Sequence, residues 1–306
     1  MPTVSIDHTT RYRYRGDVAF GEHRILVRPR ESYDQRVLAA ELQITPEPER
    51  LRWIQDVFGN AVAIATFDQR AEMLEVRGTA TVEHLPMAAG DIAVEPYAAT
   101  YPFTYAAEDM PDLLRSIERQ YPDRDRRVDE WVGRFLQGGT PLRTLDLLRD
   151  ITKAIRRDFT YRRREEKGVQ PPLETLWQGS GTCRDYAVLM MEAVRALGLA
   201  ARFVSGYLYN EEGADARVGG HSTHAWVRVF LPGSGWVEFD PTNGIVGNKG
   251  LIRVAVARDH AQAIPLTGTW AGPVGSMLDM SVDVRISHVQ LETSHSPFPV
   301  KESQTC

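Results

Sequence analysis

One stretch limits what this chain can fold into more than any other. It is Gly179-Ser180-Gly181-Thr182-Cys183-Arg184-Asp185-Tyr186, followed by Ala187 to Leu197. The glycines allow a tight backbone turn immediately before a helix. Tyr186, Leu189, Met190, Ala193 and Leu197 then recur at helical spacing, and Gly198 stops the run. A cysteine is thereby placed in the first turn of an apolar helix. Its N–H groups and the positive end of the helix dipole favour a thiolate there. The N–H of Cys183 is well placed to donate to a tetrahedral oxyanion.

The residues downstream supply what such a thiol needs. His224 begins a strand running to Leu231, Pro232-Gly233-Ser234-Gly235 is a hairpin turn, and Trp236 to Asp240 is the return strand. An antiparallel hairpin brings its two open ends side by side, so His224 and Asp240 are expected to meet. A carboxylate beside an imidazole fixes its tautomer and supports the imidazolium. Cys183, His224 and Asp240 are therefore the catalytic candidates. Tyr161 and Trp226 are candidate substrate-binding residues. Tyr161 is read as a wall of the site or an oxyanion donor, against simple packing. Trp226 is read as shielding the triad or closing the core, and is expected on the other sheet face from His224. Asp185 is expected to cap the helix or to pair with Arg184 or Arg202.

The rest of the chain divides by pattern. Residues 1–85 read as β, with Val4, Ile6, Tyr12 and Tyr14 alternating and further runs at Val37 to Ile44, Leu51 to Ile54, Ala61 to Phe67 and Met73 to Val82. Turn signals about every ten residues suggest an antiparallel sandwich. Residues 86–105 are a Pro- and Gly-containing linker, and Tyr97, Tyr101, Phe103 and Tyr105 should pin it to a surface. The catalytic domain is placed at 106–293. Met110 to Gln120, Arg126 to Leu136 and Leu142 to Phe159 have helical periodicity, the last with Thr140 or Thr144 near its cap. Arg162 to Gln170 should be an exposed loop, and Asn210 to Thr223 a mobile rim or lid. Leu251 to Val256 is a strand, Arg258 to Gly275 reads as irregular, and Met277 to Leu291 as one or two strands. A C-terminal tail covers 294–306, where Cys306 carries no role.

Composition removes several classes. A net charge of −5 argues against nucleic acid as a partner. No apolar run approaches the ~20 residues of a membrane span, and no leader is visible at the start. Two cysteines far apart form no disulfide framework. No CxxC or HExxH spacing suggests a metal, and no cofactor is expected. A free thiol in such a chain is expected in the cytoplasm.

The chain resembles the transglutaminase-like superfamily in a bacterial form, whose core is related to papain-like cysteine proteases. The matching residues are Gly181-Thr182-Cys183-Arg184-Asp185-Tyr186-Ala187, the stretch Arg195 to Tyr207, His224-Ala225-Trp226-Val227, Gly235-Trp236 and Asp240-Pro241-Thr242. His8-Thr9-Thr10-Arg11-Tyr12 and Asp56-Val57-Phe58-Gly59-Asn60 are similar to the β region that often precedes this core. The resemblance implies an α+β fold: an N-terminal antiparallel β-sandwich, then a papain-like core with helices packed on an antiparallel sheet. It implies Cys183 as nucleophile, His224 as general base and acid, and Asp240 as the orienting acid. Cysteine-dependent acyl transfer at a peptide or glutamine amide through a thioester is expected, with hydrolysis ahead of crosslinking to an amine and of a non-catalytic protein-binding scaffold. The partner implied is a protein or peptide substrate. No calcium site is expected.

Overall fold

The computed structural model describes residues 2–137, 142–164, 168–209 and 223–289. The expected rim at 210–222, part of the 162–170 loop, Thr140 and the tail with Cys306 lie outside them.

The first five strands are β1 (Thr3–Ile25), β2 (Gln35–Thr45), β3 (Arg50–Gln55), β4 (Ala61–Thr66) and β5 (Arg70–His84). β1 is long enough to run through two neighbourhoods because it bends: Gly16 takes φ +92°, and the register with β5 shifts between Arg13 and Val18. Next come β6 (Thr100–Tyr101), α1 (Met110–Ile117), α2 (Arg127–Gly133), β7 (Leu142–Arg143), α3 (Thr144–Asp158), β8 (Thr160–Tyr161), α4 (Pro172–Gln178), β9 (Ser180–Gly181) and α5 (Cys183–Ala196). The last strands are β10 (Ala201–Leu208), β11 (His224–Leu231), β12 (Gly235–Asp240), β13 (Ile245–Val246), β14 (Leu251–Ala257), β15 (Leu266–Ala271) and β16 (Met277–Val289).

Two antiparallel sheets result. The core sheet has the order β13-β12-β11-β10-β14. The seven-stranded sheet has the order β2-β5-β1-β4-β3, with β15 and β16 also paired to β1. This pairing departs from the grouping of 106–293 as one unit. β15, inside a stretch expected to be irregular, and β16 return to the N-terminal strands and cover an edge that β1 would otherwise expose. The second layer opposite the N-terminal sheet is the core sheet itself. Val4, Ile6, Val82 and Val284 pack there against Tyr207, Tyr209, Ile252 and Val254.

Polar groups lock the two layers together. Asn60 mimics a strand, accepting from the Val256 N–H at 2.9 Å and donating to the Val256 carbonyl at 2.8 Å. Arg253 is buried between the layers and holds both Asp34 and Glu238, the latter at 2.9 Å. His8 Nδ1 meets the Tyr207 hydroxyl at 2.8 Å, and His84 meets Tyr209 at 2.9 Å. The linker is held down as its aromatics suggest. Tyr105 donates to the Phe230 carbonyl at 3.0 Å and accepts from the Ala200 N–H at 2.9 Å.

Helix α5 runs across the core sheet, with Ala187, Val188 and Met191 in one core with Ala225, Val227 and Val229. The sequence showed one broad apolar face, but twelve of its fourteen residues are buried, Asp185, Glu192 and Arg195 among them. These charges are tolerated because each is neutralised. Arg195 contacts Glu192 at 3.0 Å, and Arg119 reaches the same carboxylate at 3.1 Å. Thr144 does not cap α3: it is the first helical residue, and its hydroxyl donates to the Ala98 carbonyl at 2.6 Å. No helix among the described residues is long and apolar enough to cross a membrane.

Candidate active site

Three local arrangements build the site. The first presents the cysteine. Gly179 adopts φ +60° and ends α4 in the left-handed conformation, which turns the chain into the short β9. β9 runs parallel to β8, pairing Thr160 with Ser180 and Tyr161 with Gly181. Thr182 then opens α5, and Asp185 closes a capping box on it, with the Thr182 N–H at 2.8 Å and its hydroxyl at 2.9 Å from Asp185 Oδ2. Cys183 is the first helical residue, 8% exposed, and its own N–H has no intrahelical acceptor.

Asp185 is thus structural, as its place in the first turn suggests, but its ion partner is Arg164 and neither Arg184 nor Arg202. Arg164 grips it with Nε at 2.9 Å and a terminal nitrogen at 3.0 Å. The Gln170 N–H adds a third donor at 2.7 Å. Arg164 and Gln170, in the loop expected to be exposed, are therefore anchored beneath the cysteine.

The second arrangement is the hairpin. Val227 pairs with Phe239 and Val229 with Val237, which leaves His224 and Asp240 at the open end. His224 Nε2 lies 2.8 Å from Asp240 Oδ2, and both side chains are fully buried. The other carboxylate oxygen accepts the Thr242 N–H at 2.9 Å and the Asn243 N–H at 3.3 Å. Asn243 Nδ2 also donates to Asp240 Oδ2 at 2.8 Å. Asn243 is a site residue that sequence reading missed. Its signal was the Asp-Pro-Thr-Asn order, in which an aspartate can receive the N–H groups that follow it in a turn.

The imidazole is consequently fixed in tautomer and direction. Its Nδ1 is buried with no nitrogen or oxygen partner among the described residues and is left to the Cys183 sulfur. Burial alone disfavours a charged imidazole. Asp240 and then the thiol outweigh it, and the His224 pKa rises well above the ordinary histidine value. Burial likewise opposes a Cys183 thiolate. The hydrogen bond and charge of His224, the Arg184 guanidinium and the Ala225 N–H outweigh that, and the thiol pKa is lowered. Both directions favour a thiolate–imidazolium pair, which titrates as a unit.

The third arrangement is the surround. Tyr161 on β8 is 40% exposed and stacks edge-on with Tyr186. Burial and then the charge of Cys183 push its pKa up to about 12, so its hydroxyl stays a proton donor beside the sulfur. Trp226 stands differently from expectation. Residues two apart in a strand share a face, and the indole stacks on the His224 imidazole at 5.9 Å instead of pointing to the other side. It is fully buried with Val204, Leu208, Leu251 and Val256, so it shields the imidazole and lines no accessible surface. Gly206 leaves the room it needs, since a Cβ there would meet Trp226 at 2.7 Å.

A cleft of about 540 Å³ opens over Cys183. One side is core: Tyr161, Arg163, Thr182, Arg184 and Thr223. The other is the N-terminal sheet, where Thr10 and Tyr12 on β1 stand opposite Val282 and Met280 on β16. The same sheet face that packs on Tyr207 and Tyr209 through Val4 and Ile6 continues beyond that contact as the cleft wall.

Fold and site together define a two-layer α+β protein with a cysteine at the head of its central helix and a histidine–aspartate pair on the adjacent hairpin. The chain belongs to the transglutaminase-like superfamily. Residues 130–241 match the transglutaminase-like superfamily itself, and residues 4–83 match the bacterial transglutaminase-like N-terminal region. It is 31% identical over 293 residues to the uncharacterized protein Rv2569c of Mycobacterium tuberculosis, covering 91% of each chain. It is 41% identical over 66 residues to a protein-glutamine gamma-glutamyltransferase of Pseudomonas aeruginosa, covering 21% of this chain and 10% of that protein. The crystal structure of a candidate cysteine protease from Cytophaga hutchinsonii shares the fold, with TM-score 0.66 and 20% identity over 95% of this chain and 92% of that one.

Proposed function

We propose that this protein is a thiol-dependent acyl-transfer enzyme that hydrolyses an amide in a peptide or protein. The observation supporting this most directly is the orientation of His224. Nε2 is held by Asp240 and Nδ1 is left to a cysteine at a helix N-terminus. In this reading the Cys183 thiolate attacks the amide carbonyl, and the oxyanion takes hydrogen bonds from the Cys183 N–H and the Tyr161 hydroxyl. The His224 imidazolium gives its proton to the departing amine, which leaves a thioester and a neutral imidazole. That imidazole then removes a proton from water, the water oxygen attacks the thioester, and the carboxylic acid departs with the thiolate restored.

Alkylation tests the nucleophile. Cys183 should react with iodoacetamide at pH 6 much faster than Cys306 or free cysteine, and equal rates would remove the main support. Trapping the thioester from a peptide pool and weighing the acyl group by mass spectrometry identifies the donor. The similarity of 66 residues to a glutamyltransferase supports a second reading, in which a primary amine replaces water. Incorporation of a fluorescent amine into a glutamine-rich protein separates the two, and amide hydrolysis without incorporation leaves hydrolysis alone.

A further inference from the structure

The charge of the cleft runs against the charge of the chain. The protein carries a net −5, yet the described residues lining the cleft include Arg163, Arg164 and Arg184 and no aspartate or glutamate. Arg164 is spent on Asp185. The other two are not. Arg184 donates to the Thr223 hydroxyl at 3.2 Å, and among the described residues neither Arg163 nor Arg184 is paired with a carboxylate. Arg184 also lends its charge to the Cys183 thiolate, a role that leaves its guanidinium without a carboxylate partner among the described residues. The opposite wall is mostly apolar, with Tyr12, Leu266, Met277, Met280 and Val282 outnumbering His8 and Thr10. An apolar wall across from two guanidiniums lowers the local dielectric and strengthens their attraction for an anion that enters between them. A guanidinium fork is matched to a carboxylate.

We infer that the acyl donor carries a carboxylate beside the amide that Cys183 attacks, and that Arg163 and Arg184 bind it from the core side of the cleft while the β1–β16 face covers the donor's other side. The N-terminal sheet is thereby part of the substrate site. Acidic side chains next to the attacked amide and a free chain-terminal carboxylate share this chemistry. The inference rests on Cys183 being the nucleophile.

Iodoacetate and iodoacetamide attack the same sulfur and differ in one negative charge, so their rate ratio cancels the thiolate fraction. The ratio at Cys183 should be higher in the wild type than in Arg163→Gln/Arg184→Gln by about five-fold or more, as two partly exposed cation–anion contacts predict. An unchanged ratio overturns the carboxylate site. Slow iodoacetamide alkylation in the wild type would instead overturn the nucleophile, so the two failures are distinct. A second measurement needs no variant. Hexapeptides are compared as protectors of Cys183 against iodoacetamide: one with an internal Glu and an amidated end, one with Gln and a free end, and one with Gln and an amidated end. Better protection by either acidic peptide than by the neutral one supports the site and names the source of the carboxylate. Equal protection by all three, or none by any, refutes it.

Discussion

Replacing Asp240 by asparagine tests the electrostatic logic of the site with minimal change of shape. The asparagine oxygen can still accept the Thr242 and Asn243 N–H groups that now bind Asp240 Oδ1 at 2.9 and 3.3 Å. What disappears is a full negative charge 2.8 Å from His224 Nε2, in a place sealed from solvent. Asp240 is the largest influence holding the imidazole protonated, and the imidazolium in turn is the largest influence stabilising the thiolate. An opposite charge at that distance typically shifts a partner by one to three pH units, and a buried site belongs in the middle of that range. We expect about 2.7 kcal/mol, equivalent to about two pH units, to be lost from the ion pair. The sign follows from the lowered thiol pKa. Thiolate is present above that pKa, so the variant requires a higher pH to form it. The pH at which iodoacetamide alkylation of Cys183, followed by mass spectrometry, reaches half of its plateau rate should move up by about two units. Circular dichroism controls for folding. A folded variant with an unchanged pH profile of alkylation would refute the coupling of Cys183 to Asp240 through His224.

Three smaller perturbations follow from other contacts. Asn243→Ala removes the 2.8 Å hydrogen bond to Asp240 Oδ2 and should slow alkylation at pH 6 by roughly five-fold, which is about 1 kcal/mol of orientation. Arg253→Met strands the buried carboxylate of Asp34, while Glu238 keeps Arg228 at 3.0 Å, and should lower the urea unfolding free energy by about 3 kcal/mol. His8 is buried against Tyr207, and desolvation pushes its pKa down from 6.5 to about 4, so the unfolded chain binds its proton first as the pH falls. Stability should therefore decline between pH 6.5 and 4 by about 3 kcal/mol through this residue, and urea titrations of His8→Gln should show a correspondingly flatter slope.

Much of the site was legible because its logic is local. A glycine turn before an apolar run places Cys183 at a helix start, and a hairpin turn at Gly233–Gly235 brings His224 toward Asp240. Both follow from periodicity and turn chemistry within short spans of chain. Asn243 was missed because a turn residue shows its purpose only once the carboxylate it serves has been placed. The face of Trp226 was misjudged even though strand alternation sets it: His224 and Trp226 are two residues apart and share a side. Asp185 could be read as a helix-start residue, but Arg164, twenty-one positions away, is one of many arginines with no sequence mark of its partner.

By itself the sequence determined most of the elements and pointed to Cys183, His224 and Asp240, because propensity, capping and hairpin closure act over a few residues each. Only the tertiary structure decided that β16 returns to β1, pairing Thr10 with Val282 across more than 270 residues, and that this sheet faces Cys183 across a cleft. Such pairings depend on which edges and faces remain uncovered once everything else has packed, and no local pattern carries that information. The cationic character of the cleft arises in the same way. Individual arginines are common on this chain, but that Arg163 and Arg184 stand beside Cys183 with no carboxylate partner among the described residues is a property of the assembled layers.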